Sequence, residues 1–447
     1  MRSKEFWGMT GYQWTVLFAA WLGWGFDAFD ALLFNYVASS CVPDLLGLDP
    51  ALPETRQITL YWTGALTSLL LVGWAIGGIV FGKLADRVGR SRTLILTILV
   101  YSLGTALCAF APNLWVLAVC RFITSLGIGG EWAAGAAMVA EVVPEKRRLE
   151  AGALLYTAAP LGIFLAGFSS DLISVRLMPD NPHAWRYVFL LGLVPAALAL
   201  IIRRFLREPE IWKTALDKAP ESSFAQLFSP AMRRRTFSGT SMAITALLAW
   251  WSCNAFLPLV TGVFAEESGI SQGLAGEALK SFIANTKVTA IHLFNAGGLL
   301  GTLASVPLAR NLGRRPTFAL YFLVSGLSIG ATFGLNLPIA VHLGMFFFIG
   351  LTGYGALGSF TYYLPELFPT HLRATGSGFC YNVGRFLTAL GPFYVASVAS
   401  QGARGSQAIS AVMPLVGLIP LTALLLLPWI VETKGAELTE SGLKSSP

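Results

Sequence analysis

Four charged residues in otherwise apolar stretches carry most of the chemical information: Asp27, Asp30, Arg121 and Arg385. Asp27 and Asp30 stand three apart, so on a helix they share a face. Arg121 lies about two helical turns into its own apolar stretch, at a depth comparable to the two acids. A charge at hydrocarbon depth is costly and points to function by default. Arginine stays protonated, so Arg121 needs a partner there. An ion pair from Arg121 to Asp27 or Asp30 would hold the acid ionised, and breaking it would let the acid take a proton. Asp27, Asp30 and Arg121 are therefore the expected proton-coupling set, with a permanent structural bridge as the alternative. Arg385 falls about 15 Å into a later stretch, close to the bilayer midplane. Asn382 precedes it by three residues and Tyr381 by four. A guanidinium fork matches the two oxygens of a carboxylate. Arg385, Asn382 and Tyr381, with Trp250 and Asn254, are the expected substrate-binding residues for a small organic anion. Pairing of Arg385 with an acid elsewhere is the alternative. His292 reads as a helix-end histidine satisfied by water rather than a proton relay.

The elements that must hold these residues follow from composition. Only 12% of the 447 residues are charged and 55% are hydrophobic, with a mean hydropathy of +0.63. Too few charges exist to wet a globule, so the outside must meet lipid. A span needs about 20 mostly apolar residues. Such stretches occur near 12–38, 60–83, 93–112, 114–140, 151–173, 185–204, 236–263, 286–309, 317–335, 338–363, 375–399 and 408–430. The sequence thus predicts an all-α membrane protein with twelve transmembrane helices. Met1 to Thr10 reads as a short polar tail without a cleavable signal. The net charge of +7 lies in the breaks between spans, not on a basic face suited to nucleic acid. Five scattered cysteines argue against a disulfide framework and against a metal cluster. No cofactor, metal or catalytic set is expected, so the chain does not read as an enzyme. Twelve spans put both termini on one face. Of the 31 basic residues, 23 fall on that face and six on the other, which predicts cytoplasmic termini in a plasma membrane, the inner membrane if the source is prokaryotic.

The chain also repeats itself. Gly82 to Arg90 (GKLADRVGR) returns at an offset of 224 as Val306 to Arg314 (VPLARNLGR). Glu141 to Arg148 returns at an offset of 225 as Glu366 to Arg373, both reading E-x-x-P-x-x-x-R, and Tyr156 matches Tyr381 at the same offset. The longest basic break, 205–235, divides the copies. Expected domains are a six-helix bundle over 1–204, an interdomain linker over 205–235 and a second bundle over 236–447. Around Phe224, Leu227 and Phe228 the linker reads either as a short interfacial helix or as a flexible tether. Repeats meeting at the midplane are how many secondary transporters build an alternating-access site.

The G-x-L-A-D-R-x-G-R segment, Arg121-x5-Gly127-x-Gly129-Gly130-Glu131, the paired E-x-x-P-x-x-x-R ends, Arg207-Glu208-Pro209-Glu210 and Glu432-Thr433-Lys434-Gly435 resemble the signatures of the major facilitator superfamily. The resemblance covers essentially the whole chain. It implies two pseudo-symmetric six-helix bundles and transport by rocking between them. Trp21-Leu22-Gly23-Trp24 with Asp27-Ala28-Phe29-Asp30 is similar to the first span of proton symporters for carboxylates: sialate, lactate, pyruvate and, nearby, aromatic acids. A proton-coupled sugar or polyol symporter is the alternative, since sugar symporters resemble this chain in facing a first-span Asp to a fourth-span Arg. The resemblance makes Asp86, Arg87 and Arg90 the expected lock between bundles, asymmetric because Arg310 replaces Asp86 in the second copy. Glu141 with Arg148, and Glu366 with Arg373, are the expected inner-gate pairs. Glu131 is expected to pair with Arg148, Arg373 or another inner-end cation. The partners expected are a small-molecule substrate, protons and lipid, acting on a monomer. Gly127, Gly129 and Gly130 lack a following Gly-Lys-Ser/Thr and read as close helix packing.

Overall fold

The computed structural model describes residues 6–49, 52–179, 181–202, 205–218, 222–399, 412–435, 437–439 and 442–444. Of the basic residues behind the predicted orientation, Arg2, Lys4, Arg203, Arg204 and Arg404 lie outside them. The first half contains α1 (Gly11–Leu46), α2 (Pro53–Val88), α3 (Arg90–Cys108), α4 (Leu114–Val142), α5 (Arg148–Tyr156), α6 (Ala158–Ser170), α7 (Ala184–Leu190) and α8 (Leu193–Ile202). Two linker helices follow, α9 (Glu210–Lys218) and α10 (Phe224–Leu227). The second half contains α11 (Arg233–Ser271), α12 (Gly276–Asn311), α13 (Arg314–Gly334), α14 (Ile339–Leu367), α15 (Arg373–Thr388), α16 (Leu390–Ala399) and α17 (Leu418–Ala423). Each of the twelve predicted spans is mainly helical over its described residues, with breaks at 109–112, 157 and 191–192 among others. The fifth is α5 running into α6, the sixth is α7 with α8, and the eleventh is α15 with α16. Nine described segments are long and apolar enough to cross a membrane by length and composition. A two-stranded hairpin, Glu437–Thr439 with Gly442–Lys444, departs from the all-α expectation in the tail.

Local sequence explains the boundaries. Thr10 and Gln13 form a reciprocal capping box at the start of α1, and the Asn113 side chain caps α4, each supplying donors or acceptors that a helix start lacks. Gly89 and Gly313, again 224 apart, have φ of 124° and 104°, a region that suits glycine. They also lack room for a side chain. A Cβ at Gly89 would stand 2.4 Å from Glu208 Oε1, and one at Gly313 would stand 2.7 Å from Glu432 Oε2. Those carboxylates accept from the first amides of the following helices. Glu208 takes Ser91 N and Arg92 N at 3.1 and 3.0 Å. Glu432 takes Arg314 N and Arg315 N, both at 2.9 Å. An acid there satisfies orphan amides and complements the helix dipole.

Close helix packing then follows from small residues. A Cβ at Gly129 would sit 2.0 Å from the Trp74 carbonyl oxygen, so α4 and α2 touch backbone to backbone. In the second half Gly297 and Gly301 play the same part, bringing α12 against the Phe347 and Leu351 carbonyls of α14. The two halves meet along α2 and α15, where Gly378 approaches the Gly78 carbonyl. The linker forms a short packed helix, α10, rather than a free tether. Leu227 is fully buried, Phe228 packs edge-on to Phe379 at 5.5 Å, and Lys83 covers the Phe224 ring.

Substituting Gly129→Val should overpack the α2–α4 contact and cost at least ~1–3 kcal/mol, since backbone rather than a flexible side chain is in the way. Thermal unfolding of the detergent-solubilised variant should start several degrees lower. An unchanged melting curve would show that the helices are not this close.

Candidate functional site

Asp27 and Asp30 project from α1 and are 1% and 0% exposed. None of their four carboxylate oxygens has a hydrogen-bond partner. Thr105 faces Asp30 without the distance and angle of a hydrogen bond. Arg121 does come to this part of α1, but not to either carboxylate. Its Nη1 donates to the Asp30 carbonyl at 3.0 Å and its Nη2 to the Ala31 carbonyl at 2.9 Å. The guanidinium also covers the Phe34 ring. The expected Arg121–Asp ion pair is therefore absent. Two successive carbonyls present spare lone pairs at the spacing of the fork, and they anchor α4 to α1 without needing a charge.

Glu131 corrects another expectation. It is buried, and neither of its oxygens is hydrogen-bonded. It rests against α1, since a Cβ on Gly23 would lie 2.4 Å from its Oε1. Gly23 is one helical turn from Asp27 on the same face. Arg148 instead donates to the Ala140 carbonyl and Arg373 to Glu141, nine or ten residues further along α4, about 14 Å at the helical rise. Glu131 belongs with the membrane-depth acids and not with the gate.

Arg385, 4% exposed, comes from α15 on the other half. Its Nη1 donates to Asn382 Oδ1 at 3.0 Å. Its guanidinium lies 3.7 Å from the Trp74 ring centroid and 4.7 Å from that of Tyr381. Among the described residues no carboxylate is within ion-pair distance, and Nε has no partner. Asn382 also donates to the Gly378 carbonyl and fills the space over Gly78, so it both locks the seam between halves and aims Arg385. Tyr381 stacks on Trp132 at 4.3 Å. Tyr156 meets Trp24, and Trp250 meets Tyr354 edge-on, its indole nitrogen unpartnered. Asn254 is half-buried on α11, and His292 is exposed. The arrangement is an aromatic box from both halves with one uncompensated guanidinium. Asp27 and Glu131 are both close enough to Arg385 or to each other to interact electrostatically.

The face that bears both termini is organised differently. Glu141 accepts from Arg90 at 2.9 and 3.1 Å and from Arg373 at 2.8 Å. Glu366 accepts from Arg314 at 2.7 and 3.0 Å and from the Thr433 hydroxyl at 2.5 Å. The expected pairs Glu141–Arg148 and Glu366–Arg373 are thus replaced. Each glutamate takes the arginine that ends the earlier repeat motif of its own half, Arg90 or Arg314, and Arg373 crosses to the other half. The reason is geometric. Arg148 and Arg373 each spend Nε on the carbonyl just before their own glutamate, Ala140 and Pro365, while that glutamate's oxygens are filled by Arg90 and Arg373 or by Arg314 and Thr433. Asp86 bridges to Arg90 at 2.9 Å and accepts from Ala374 N and Thr375 N, the first amides of α15, at 3.2 and 2.7 Å. Arg87 is exposed. In the second copy Arg310 pairs with Glu150 at the start of α5. Burial, then the Arg373 and Arg90 guanidiniums, hold the His371 pKa below its ordinary value, so it stays neutral at pH 7. Trp212 of α9 donates to the Asp86 carbonyl and lies over Arg90, pinning the lock from the linker.

Several of these residues escaped sequence reasoning. Glu208 and Glu432 sit in recognised motifs and share the 224 offset, which was the available signal. Trp74 and Trp132 carry no such mark, because an aromatic in a span is more often packing.

The sequence model of the Major Facilitator Superfamily matches residues 14–392. The chain is 29% identical to the sialic acid transporter NanX of Escherichia coli, over 83% of each chain. It is 28% identical to the cis,cis-muconate transport protein of Acinetobacter baylyi, over 88% of this chain and 90% of that one. Among solved structures it resembles the proton:xylose symporter XylE bound to 6-bromo-6-deoxy-D-glucose, with a TM-score of 0.71 and 17% identity, covering 96% of this chain and 98% of that one.

Glu141→Gln leaves Arg90 and Arg373 buried and short of a counter-charge, a loss of about 3–5 kcal/mol for a buried pair. The variant should part the halves at this face. A single cysteine replacing buried Ser377, in an otherwise cysteine-free chain, should then be alkylated at least tenfold faster. Equal labelling rates would mean that Glu141 does not hold this gate.

Proposed function

We propose that this chain, which belongs to the Major Facilitator Superfamily, is a proton-coupled symporter of a small organic carboxylate that works by alternating access. It is a multi-pass membrane transporter and not an enzyme. The observation that carries the carboxylate reading is Arg385: a buried guanidinium, held by an amide and two aromatic rings, with no carboxylate among the described residues within ion-pair distance. An incoming carboxylate supplies the missing charge and fits the fork bidentately. The aromatic box accommodates the rest of a small, partly apolar acid. Two relatives named for carboxylates, sialic acid and cis,cis-muconate, support this reading. The resemblance to a proton:xylose symporter favours a sugar as the second reading, but a neutral sugar leaves Arg385 uncompensated.

Proton carriage is assigned to Asp27 with Glu131, and to Asp30. Like charges brought together without hydrogen bonds cannot all be ionised at low cost, so the proton travels on these acids. Arg121 positions α1 against α4 rather than gripping the acid. The bundles are 1–204 and 236–447, joined by 205–235, and the terminal face is cytoplasmic, in accord with its excess of basic residues. The chain acts as a monomer. In this arrangement the cytoplasmic gate is closed.

In proteoliposomes, Asp27→Asn and Glu131→Gln should each abolish accumulation driven by an inward proton gradient while carboxylate exchange at equal pH survives. Full gradient-driven accumulation in both variants, and in Asp30→Asn, would rule out these proton sites. Arg385→Lys keeps the charge and loses the fork. It should raise KM for the carboxylate at least tenfold, about 1.4 kcal/mol. An unchanged KM, or competition by neutral sugars but not by carboxylates, would remove the anion reading.

A further inference from the structure

Beside the gate just described lies a cavity of about 320 Å³ that straddles the two halves. Glu145, Lys146 and Arg148 line it from the first half, and Arg310, Arg314 and Glu366 from the second. The charges can be paired off one by one. Arg314 forms a fork with both oxygens of Glu366. Arg310 is paired with Glu150. Glu366 is further occupied by the Thr433 hydroxyl. What remains is Glu145, exposed and paired with no described residue, against two cations: Lys146, exposed and hydrogen-bonded to no described residue, and Arg148, 8% exposed. The single hydrogen bond of Arg148 is from Nε to the Ala140 carbonyl at 3.3 Å. Its two terminal nitrogens donate to nothing among the described residues.

The repeat explains why this arginine is idle. Its counterpart, Arg373, makes the same Nε bond to the Pro365 carbonyl at 3.1 Å and then crosses the seam to Glu141 at 2.8 Å. By symmetry Arg148 should cross to Glu366, but Thr433 and Arg314 already fill that carboxylate. The first seam is closed by protein, and the second is left with unspent donors around a cavity large enough for a small ligand.

We infer that this cavity is an anion site for a phosphate group, which Arg148 and Lys146 bind from the first half and Arg310 borders from the second. A phosphate oxyanion accepts several charge-assisted bonds at once, which a single carboxylate already in use cannot. Because its walls come from both halves, the cavity exists only where the halves are joined at this face, and an occupant stabilises that state. The phosphate belongs either to a free cytosolic anion or to the headgroup of an anionic lipid at the membrane surface.

The test uses the full chain in nanodiscs and needs no transport. In discs of neutral phosphatidylcholine, inorganic phosphate in the millimolar range should raise Tm relative to chloride at matched ionic strength. Lys146→Gln, which removes an exposed side chain with no structural bond, should weaken the apparent phosphate affinity five- to tenfold without lowering the phosphate-free Tm. Discs containing phosphatidylglycerol distinguish the sources. If they raise Tm in the wild type, blunt the response to phosphate, and do neither in Lys146→Gln, the occupant is lipid. If only free phosphate acts, the occupant is a soluble anion. No phosphate- or lipid-dependent shift in the wild type, or the same shift in Lys146→Gln, overturns the site.

Discussion

A charge held away from water must be compensated or used, and that constraint separates the parts of this molecule. At the terminal face the ion pairs close on themselves. Glu141 has two arginines, Glu366 has an arginine and a hydroxyl, and Asp86 has an arginine and two amides. Nothing at those three acids awaits a ligand. At membrane depth the balance is incomplete. Asp27, Asp30 and Glu131 have no hydrogen bonds, and Arg385 lacks a carboxylate. Uncompensated buried charge is destabilising unless a proton or a solute completes it. The same amino-acid types are thus fully paired at one level and left short of partners at the other.

The internal repeat supplies both levels from one plan. In each half a glycine of positive φ turns the chain, an acid from a distant motif caps the next helix, and an arginine at its start holds the glutamate that ends a later span. These contacts stay within a half and keep it rigid. The contacts that cross the seam include Arg373 to Glu141, Arg90 to the Thr370 carbonyl, Asp86 to the start of α15, Arg310 to Glu150 and Phe393 N to Ser68, and they are few beside those within a half. Rigid halves joined by few polar contacts can rock without rebuilding their cores, which is the mechanical requirement for exposing one central site to each side in turn.

Much of this was legible in the sequence because it depends on pattern. Twelve apolar stretches, two terminal motifs and a constant offset follow from periodicity and charge, and the folded chain respects them. Which acid meets which base was not legible. Arg121 and Glu131 sit where helical counting puts them, yet Arg121 turns to two carbonyls and Glu131 to α1. Rotation of one helix against its neighbour decides both, and that rotation is set by glycines such as Gly23 whose contacts exist only in three dimensions. Likewise Glu141 and Arg148 are neighbours in a motif, and Arg148 returns to the adjacent Ala140 carbonyl, yet the Glu141 carboxylate is taken by Arg90 and Arg373. Spacing assigns a residue to its helix and says little about its partner.

The two seams at the terminal face are unequal, and their inequality gives the gate a direction. At the α2–α15 seam Asp86 and Arg373 are wholly buried, so each charge-assisted bond there is worth about 1.5–3 kcal/mol. At the opposite seam the crossing bond is Arg310 to Glu150, with the arginine side chain about half exposed, and an exposed pair contributes about 0–1 kcal/mol. The pseudo-symmetric mate that should reinforce it, Arg148 to Glu366, is not formed. Opening that begins at α5 and α12 therefore breaks little, while opening at α2 and α15 breaks several buried bonds together. Parting the halves along the weak seam thus costs less than parting them along the strong one, on whose side Asn382 also holds Arg385.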